Sequence, residues 1–395
     1  MGTISVPPGG PTQPHGARPV GRPWPAAAIQ RERLLLAHAA DWYLAHLTLD
    51  ERLGQMLLVG CSCGGGPGGP AFTSDFAYMV EQQHIGGVIL FANNFGDFEQ
   101  TRATLAAAQA HATIPFFVAT DQEGGSVSRI DQYYGPFPSA RALGDSGDPR
   151  VAFAAAQQAA QDLRQLGINT DFAPVVDMPI NGGGYWGPWR SFADDPAAVA
   201  RFAGAYMQGL QQTGEIAVLK HFPGIGSISD DPHQTLPVVT RSLSQLRQAE
   251  LYPYSLLLAQ APGMVMATDV LVPAVDDTYP AELSPAWVDA MLRQQLGYQG
   301  VVITDSLWMG GIANRWSLAR ASVLAVEAGC DIVIGAYDST SAQATLDGLR
   351  AAMAAGQISP IHVALVVWRI LLLKVEYGML PIPSALAAEQ QAVYP

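Results

Sequence analysis

The residues of this sequence best able to do chemistry fall in three short segments. Lys220-His221-Phe222-Pro223-Gly224 runs into Ile225-Gly226-Ser227-Ile228-Ser229-Asp230-Asp231-Pro232-His233. Glycine and proline recur along this stretch, which predicts a shaped loop and not a helix. It ends on Asp231 and His233, two residues apart. A carboxylate beside an imidazole orients the ring and favours its protonated form, which makes a tunable general acid/base. Asp-x-His is also a common surface-loop pattern, so the pair acquires meaning only with a partner. Val301-Val302-Ile303-Thr304-Asp305-Ser306 supplies one, a carboxylate at the mouth of an apolar strand. By residue type alone, Asp305 could be a nucleophile, a base or a metal ligand. Glycosidic bond cleavage needs one group to attack the anomeric carbon and another to protonate the leaving oxygen, and Asp305 with His233 would divide that labour. The third segment, Thr120-Asp121-Gln122-Glu123-Gly124-Gly125-Ser126-Val127-Ser128-Arg129, sets acids beside two glycines. Glycine lets backbone approach a ligand closely, and carboxylates can accept pairs of sugar hydroxyls.

These segments need elements to hold them. Apolar runs lie at 55–60, 87–91, 115–121, 171–177, 217–221, 263–269, 300–305 and 331–335. They are continuous where a half-exposed strand would alternate, which predicts eight strands buried on both faces, as in a parallel sheet under helices. Helix punctuation stands between them. Asp148-Pro149 opens a helix that Gly167 ends, Asp195-Pro196 opens the next, and Ser284-Pro285 opens another that ends near Gly297. In each, a short polar residue can cap free amides while proline occupies a position where no bond is lost. The alternation predicts an α/β fold, a (β/α)8 TIM-type barrel forming a single catalytic domain over 31–385. An extended Pro/Gly-rich arm at 1–30 precedes it and a tail at 386–395 follows; a doubly wound open sheet is the alternative. Several runs end in charge: Asp121, Asp177, Lys220-His221, Asp269 and Asp305. In a barrel all strands end at one face, which is where sites are built.

Composition narrows the partners. The chain has 395 residues, 49% hydrophobic and 14% charged, with net charge -13. That balance argues against nucleic acid and anionic membrane surfaces as partners. Lysine occurs only at 220 and 374. Cys61, Cys63 and Cys330 are an odd set without metal-type spacing, read as buried thiols in a reducing compartment. The stretch 362–380 is apolar but interrupted by Arg369, Lys374 and Glu376, so it reads as a buried helix. The first residues lack an apolar signal core, so a cytoplasmic location is expected, with secretion from a longer precursor as the alternative. The loop at 181–189 carries Tyr185, Trp186 and Trp189, either a stacking platform for a leaving-group sugar or a cluster packed on the N-terminal arm.

The ordered set of motifs resembles glycoside hydrolase family 3, in particular its single-domain β-N-acetylhexosaminidases. The resemblance rests on Asp121-Gln122-Glu123-Gly124-Gly125 with Val127 and Arg129, Ala173-Pro174-Val175-Val176-Asp177, Arg190-Ser191-Phe192 and Lys220-His221-Phe222-Pro223-Gly224. It continues at Asp231-x-His233 and Thr304-Asp305-Ser306-Leu307-x-Met309, and covers roughly residues 48 to 380. It implies a retaining exo-β-N-acetylhexosaminidase that releases terminal N-acetylglucosamine from cell-wall or chitin fragments. Asp305 would be the nucleophile, His233 the acid/base and Asp231 its support. Asp121, Arg129, Arg190, Lys220 and His221 would bind the terminal sugar. No metal or organic cofactor is implied. The partner would be a β-linked amino-sugar oligosaccharide or glycoside. An imidazole acid/base repels anions less than a carboxylate does, so phosphate could compete with water as acceptor. Three positions depart from the family pattern: Ile225 and Pro232 in the loop, and Thr268-Asp269 where Ala-His is frequent. The rival readings are a β-glucosidase or β-xylosidase of the same family, a non-catalytic sugar-binding homologue, and a metal-dependent barrel hydrolase.

Overall fold

A computed structural model describes residues 26–64, 70–180 and 187–394. Eight strands form in chain order: β1 (Leu57–Gly60), β2 (Gly87–Leu90), β3 (Phe117–Thr120), β4 (Thr170–Asp171), β5 (Ile216–Phe222), β6 (Met264–Ala267), β7 (Val301–Ser306) and β8 (Ile332–Ile334). All neighbours pair in parallel, and β1 pairs with β8 through Leu57 with Val333 and Leu58 with Ile334. That last pairing closes the barrel, so the sheet is not the open, doubly wound alternative. Strand residues are buried along almost their whole lengths, which explains the continuous apolar runs.

A helix follows each strand: Ser74–Glu81, Phe98–His111, Pro149–Leu166, Pro196–Gln212, Leu251–Leu257, Ala286–Gln295, Leu318–Ala328 and Ser339–Ala354. The punctuation works as the sequence predicts. Asp148 and Asp195 accept amides from Arg150 and Ala198, with Pro149 and Pro196 opening the helices. Gly167 ends the first of these at φ 88°, a left-handed conformation that glycine adopts without a Cβ penalty. The helix expected after Ser284-Pro285 starts at Ala286, and its turns are of the wider π type.

The structure adjusts three expectations. β4 is far shorter than the apolar run 171–177, because Pro174 has no amide to donate to a ladder. Beyond it the chain stays beside the sheet through the Phe172 amide to the Thr120 carbonyl, the Val218 amide to the Ala173 carbonyl, and a bridge between Val175 and Lys220. At the N-terminus, the helix Ala26–His46 takes the last residues assigned to the arm, and residues 1–25 lie outside the described residues. Cys61 and Cys63 are not free thiols but a disulfide. The chain turns sharply after β1 and brings their Cα atoms to 5.0 Å, while Asn94 Nδ2 donates to the carbonyls of Cys61 and Gly64. Cys330 is free and buried.

The helix Pro360–Glu376 confirms the buried reading of 362–380 and packs beside Ala26–His46. Lys374 does not interrupt it. It turns inward to Gln55 Oε1 at 2.5 Å and the Gly86 carbonyl at 3.2 Å, with its ammonium 4.7 Å from the centre of the Phe117 ring. Burial holds this amine well below the usual lysine range. No helix among the described residues is long and apolar enough to cross a membrane.

Candidate active site

The charged strand ends converge at the carboxyl-terminal mouth of the barrel. Asp121 follows β3, and the turn after it depends on Gly124, which has φ 81° and so little room that a Cβ would stand 2.1 Å from the Pro138 carbonyl oxygen. This turn aims Asp121 and Glu123 at Lys220 on β5. Lys220 Nζ lies 2.6 Å from Asp121 Oδ1 and 2.6 Å from Glu123 Oε1. Arg190 donates two parallel hydrogen bonds to Glu123, both at 2.8 Å, and Arg129 stands 3.8 Å from Asp121. Burial by itself would push Glu123 up, but Lys220 and Arg190 outweigh it and hold the carboxyl well below the ordinary range. Burial likewise works against the charge on Lys220, and Asp121 and Glu123 reverse it, raising the amine. The cluster is a preorganised set of donors and acceptors suited to a polyhydroxylated ligand.

His221, next along β5, faces Asp177. Its Nδ1 is 2.7 Å from Asp177 Oδ2, and its amide donates to the same oxygen at 3.1 Å. The Ile225 amide donates to Asp177 Oδ1 at 2.8 Å. The unexpected isoleucine therefore holds the start of the loop through its backbone, while its side chain is buried.

Asp305 lies near the end of β7. Its Oδ2 accepts from the Thr268 hydroxyl at 2.9 Å and its Oδ1 from the Ser306 amide at 2.8 Å. Glu282 Oε2 takes the Asp305 amide at 3.0 Å. Asp231 and His233 meet as the spacing predicts. Asp231 Oδ1 lies 2.9 Å from both the ring Nδ1 and the amide of His233. Most of the His233 side chain is in solvent, 69% exposed, whereas Asp231 is 13% exposed beneath it. The loop is fastened to the segment that follows the nucleophile candidate. Gly310 donates its amide to the His233 carbonyl, and Gly311 donates to the Pro232 carbonyl, both at 3.0 Å. Asn314 Nδ2 adds a third tie, to the Gln234 carbonyl at 3.0 Å.

All the candidates therefore lie at one mouth. Asp121, Arg129, Arg190 and Lys220 form one ion network with Glu123, His221 sits beside it, and the Asp231/His233 loop is tied by backbone bonds to Gly310 and Gly311, five and six residues past Asp305. The sequence reading passed over Glu123, although it anchors both Lys220 and Arg190; its place inside the Asp121-Gln122-Glu123 motif was the available signal. It also passed over Asp177 as a support for His221, signalled by its position near a strand end, and over Glu282, which carried no signal. Of the aromatic loop, Tyr185 and Trp186 lie outside the described residues. Trp189 is exposed and its indole donates to Ser126 Oγ at 2.7 Å. Trp308, three residues past Asp305, is 51% exposed and meets Tyr337 edge-on at 5.6 Å.

Residues 48–373 match the family described as Glycosyl hydrolase family 3 N terminal domain. Among curated relatives, a protein named Beta-hexosaminidase from Stenotrophomonas maltophilia strain R551-3 is 34% identical over 285 residues, covering 71% of this chain and 82% of its own length. Another of that name from Chromobacterium violaceum is 36% identical over 271 residues, covering 67% and 75%. Among solved structures, a family 3 β-N-acetylglucosaminidase from Paenibacillus sp. str. FPU-7 superposes with TM-score 0.78 at 34% identity over 84% of this chain, which spans 63% of that longer one. A family 3 glycosyl hydrolase from Mycobacterium smegmatis superposes with TM-score 0.76 at 33% identity, covering 84% of this chain and 98% of its own. Barrel, ordered motifs and relatives agree: the chain belongs to glycoside hydrolase family 3 and is a glycoside hydrolase.

Proposed function

We propose that this chain is a retaining exo-β-N-acetylhexosaminidase that removes terminal N-acetylglucosamine from β-linked oligosaccharides. The reading is supported by the relatives' names and carried by one observation, the pair of backbone bonds from Gly310 and Gly311 to the carbonyls of His233 and Pro232. They fix the proton-handling loop to the chain just beyond Asp305. In this reading the Asp121, Arg129, Arg190, Lys220 and His221 side chains grip the terminal sugar. Asp305 attacks the anomeric carbon while His233, oriented by Asp231, gives its proton to the leaving oxygen. The covalent glycosyl-enzyme then opens when His233 takes a proton from the incoming acceptor.

His233 is an imidazole with most of its surface in solvent. An anionic acceptor approaching it meets no carboxylate charge on that ring, so phosphate competes with water in this proposal and yields the sugar 1-phosphate. Three experiments test the function. With nitrophenyl N-acetyl-β-glucosaminide, Asp305→Ala should lose turnover by about four orders of magnitude or more while still binding N-acetylglucosamine, a loss of the size seen on removing a covalent nucleophile. Full activity in that variant would remove Asp305 from the role. Nitrophenyl glucoside or xyloside cleaved faster than the amino sugar would transfer the reading to a β-glucosidase or β-xylosidase. Incubation with phosphate, followed by a search for N-acetylglucosamine 1-phosphate, decides the acceptor.

A further inference from the structure

Beyond β6 the chain reads Thr268-Asp269, and Asp269 forms no ion pair with the cations of the mouth among the described residues. The Thr268 hydroxyl lies between two carboxyls, 2.9 Å from Asp305 Oδ2 and 3.3 Å from Asp269 Oδ1. A hydroxyl has one proton to donate, so it serves one of them fully. The shorter contact is to Asp305, which also holds the Ser306 amide. Asp269 is 1% exposed, and its Oδ2 has no hydrogen-bond partner among the described residues. That oxygen lies 2.4 Å from the point where a Cβ on Gly311 would stand, directly beneath the segment that holds the His233 loop.

The groups facing Asp269 are acidic: Asp305 from β7 and Asp231 from the loop after β5. Glu282, on the short helix Ala281–Leu283, completes the cluster, with Cys330 behind it. Burial, and then the Asp305 charge, push the Asp269 carboxyl well above the usual range. Glu282 is raised in the same way, by burial and then by Asp269 and Asp305. A buried carboxyl beside a second one cannot ionise cheaply while its neighbour is charged, so the pair shares a charge, and hydrogen bonds decide which one carries it.

We propose that Asp269 is a positioning residue for the reaction: it holds the proton of the Asp269/Asp305 pair, and the Thr268 hydroxyl steers the single negative charge onto Asp305. Asp269 is then a neutral acid that touches no substrate and sets no second charge beside the nucleophile. The inference rests on Asp305 as nucleophile, but its test does not depend on turnover alone.

The full chain labelled with [13Cγ]aspartate gives the direct readout. At neutral pH, carboxyl resonances should appear at the protonated position for Asp269 and for Asp171, which burial also pushes well up. Asp269→Asn should remove one of them and Asp171→Asn the other. In activity, Asp269→Asn keeps a neutral group in place, because amide and neutral acid are alike in shape and charge, and it should remove the step in the kcat/KM pH profile that follows the second ionisation of the pair. Thr268→Val should lower kcat/KM by about tenfold or more, because without that hydrogen bond part of the negative charge moves from Asp305 to Asp269. Adding Asp269→Asn to Thr268→Val should restore most of that loss, since no second carboxyl then competes for the charge. A merely structural role for Thr268 predicts no rescue. Absence of a protonated resonance assignable to Asp269, or a double variant no better than Thr268→Val, overturns the proposal. The resonances judge this inference, and Asp305→Ala judges the function beneath it, so the two can fail separately.

Discussion

Glu123 and Asp305 are both acids at the barrel mouth, yet their surroundings give them opposite work. Glu123 is wrapped by the Lys220 ammonium and the Arg190 guanidinium, so its charge is spent on holding those two cations in place. Asp305 accepts only a hydroxyl and an amide at its carboxylate, and no basic side chain forms an ion pair with it among the described residues. In the proposed mechanism the nucleophile needs that exposure of charge, whereas a sugar-binding cluster needs the reverse. Glu123→Gln should therefore lower kcat/KM by about two to four orders of magnitude, because removing one partner of a buried charge set costs about 3–5 kcal/mol. The loss should fall mainly on KM if the cluster binds ground state and transition state alike, and steady-state kinetics at saturating substrate will separate the two. For Trp308, the exposed ring beside Tyr337 offers an apolar face three residues from Asp305. Trp308→Ala should weaken binding of disaccharides by about three- to tenfold and leave the release of nitrophenol nearly unchanged, the scale of one aromatic contact. Product-inhibition titration with chitobiose checks it.

At the scale of elements, the site depends on one junction between loops. The loop carrying His233 has no strand or helix of its own. Its carbonyls are satisfied by amides of the glycine pair Gly310 and Gly311, so the loop borrows rigidity from the chain after β7. Gly311 also fits where no side chain can: a Cβ would stand 2.4 Å from Asp269 Oδ2 and 3.2 Å from the Thr235 carbonyl oxygen. Gly311→Ala should force the loop outward. Overpacking of this kind costs about 1–3 kcal/mol, so turnover should drop by about tenfold to a hundredfold with only a few degrees lost in Tm. Comparing kcat with a thermal melt of the same variant distinguishes a displaced loop from a damaged fold.

At the scale of the whole molecule, the barrel separates chemistry from stability. The mouth collects the charged strand ends, and the opposite end buries polar groups that serve the fold. Glu376, half-buried at the end of the helix Pro360–Glu376, is an example: burial pushes its carboxyl from 4.5 up to about 7. Between those values the folded chain keeps a proton that the unfolded chain has released. Its contribution is present below 4.5 and is lost as pH rises through about 7. Glu376→Gln should thus remove part of the decline in stability across that window, by ~1–2 kcal/mol after allowance for partial exposure. Urea unfolding at a series of pH values measures it, and an unchanged slope would exclude the residue.

The sequence by itself determined the architecture and the ingredients of the site. Eight buried runs, proline-opened helices and acids at strand ends are local properties, legible because strand burial leaves continuous apolar stretches and caps need particular residues. The Asp231/His233 contact was legible too, since two residues of spacing almost suffice to make it. Other features were decided only by the closed barrel. Lys220 and Glu123 are 97 positions apart, and their pairing follows from β3 and β5 ending at one mouth. Glu282 reaches the Asp305 amide from a helix with no motif. The Cys61–Cys63 bond depends on how sharply the chain turns after β1. Asp269 could be read in the sequence as an added charge, but whether it is charged depends on burial beside another carboxyl. Covalent sequence sets which groups exist; three-dimensional packing sets their solvent and their neighbours, and those set protonation.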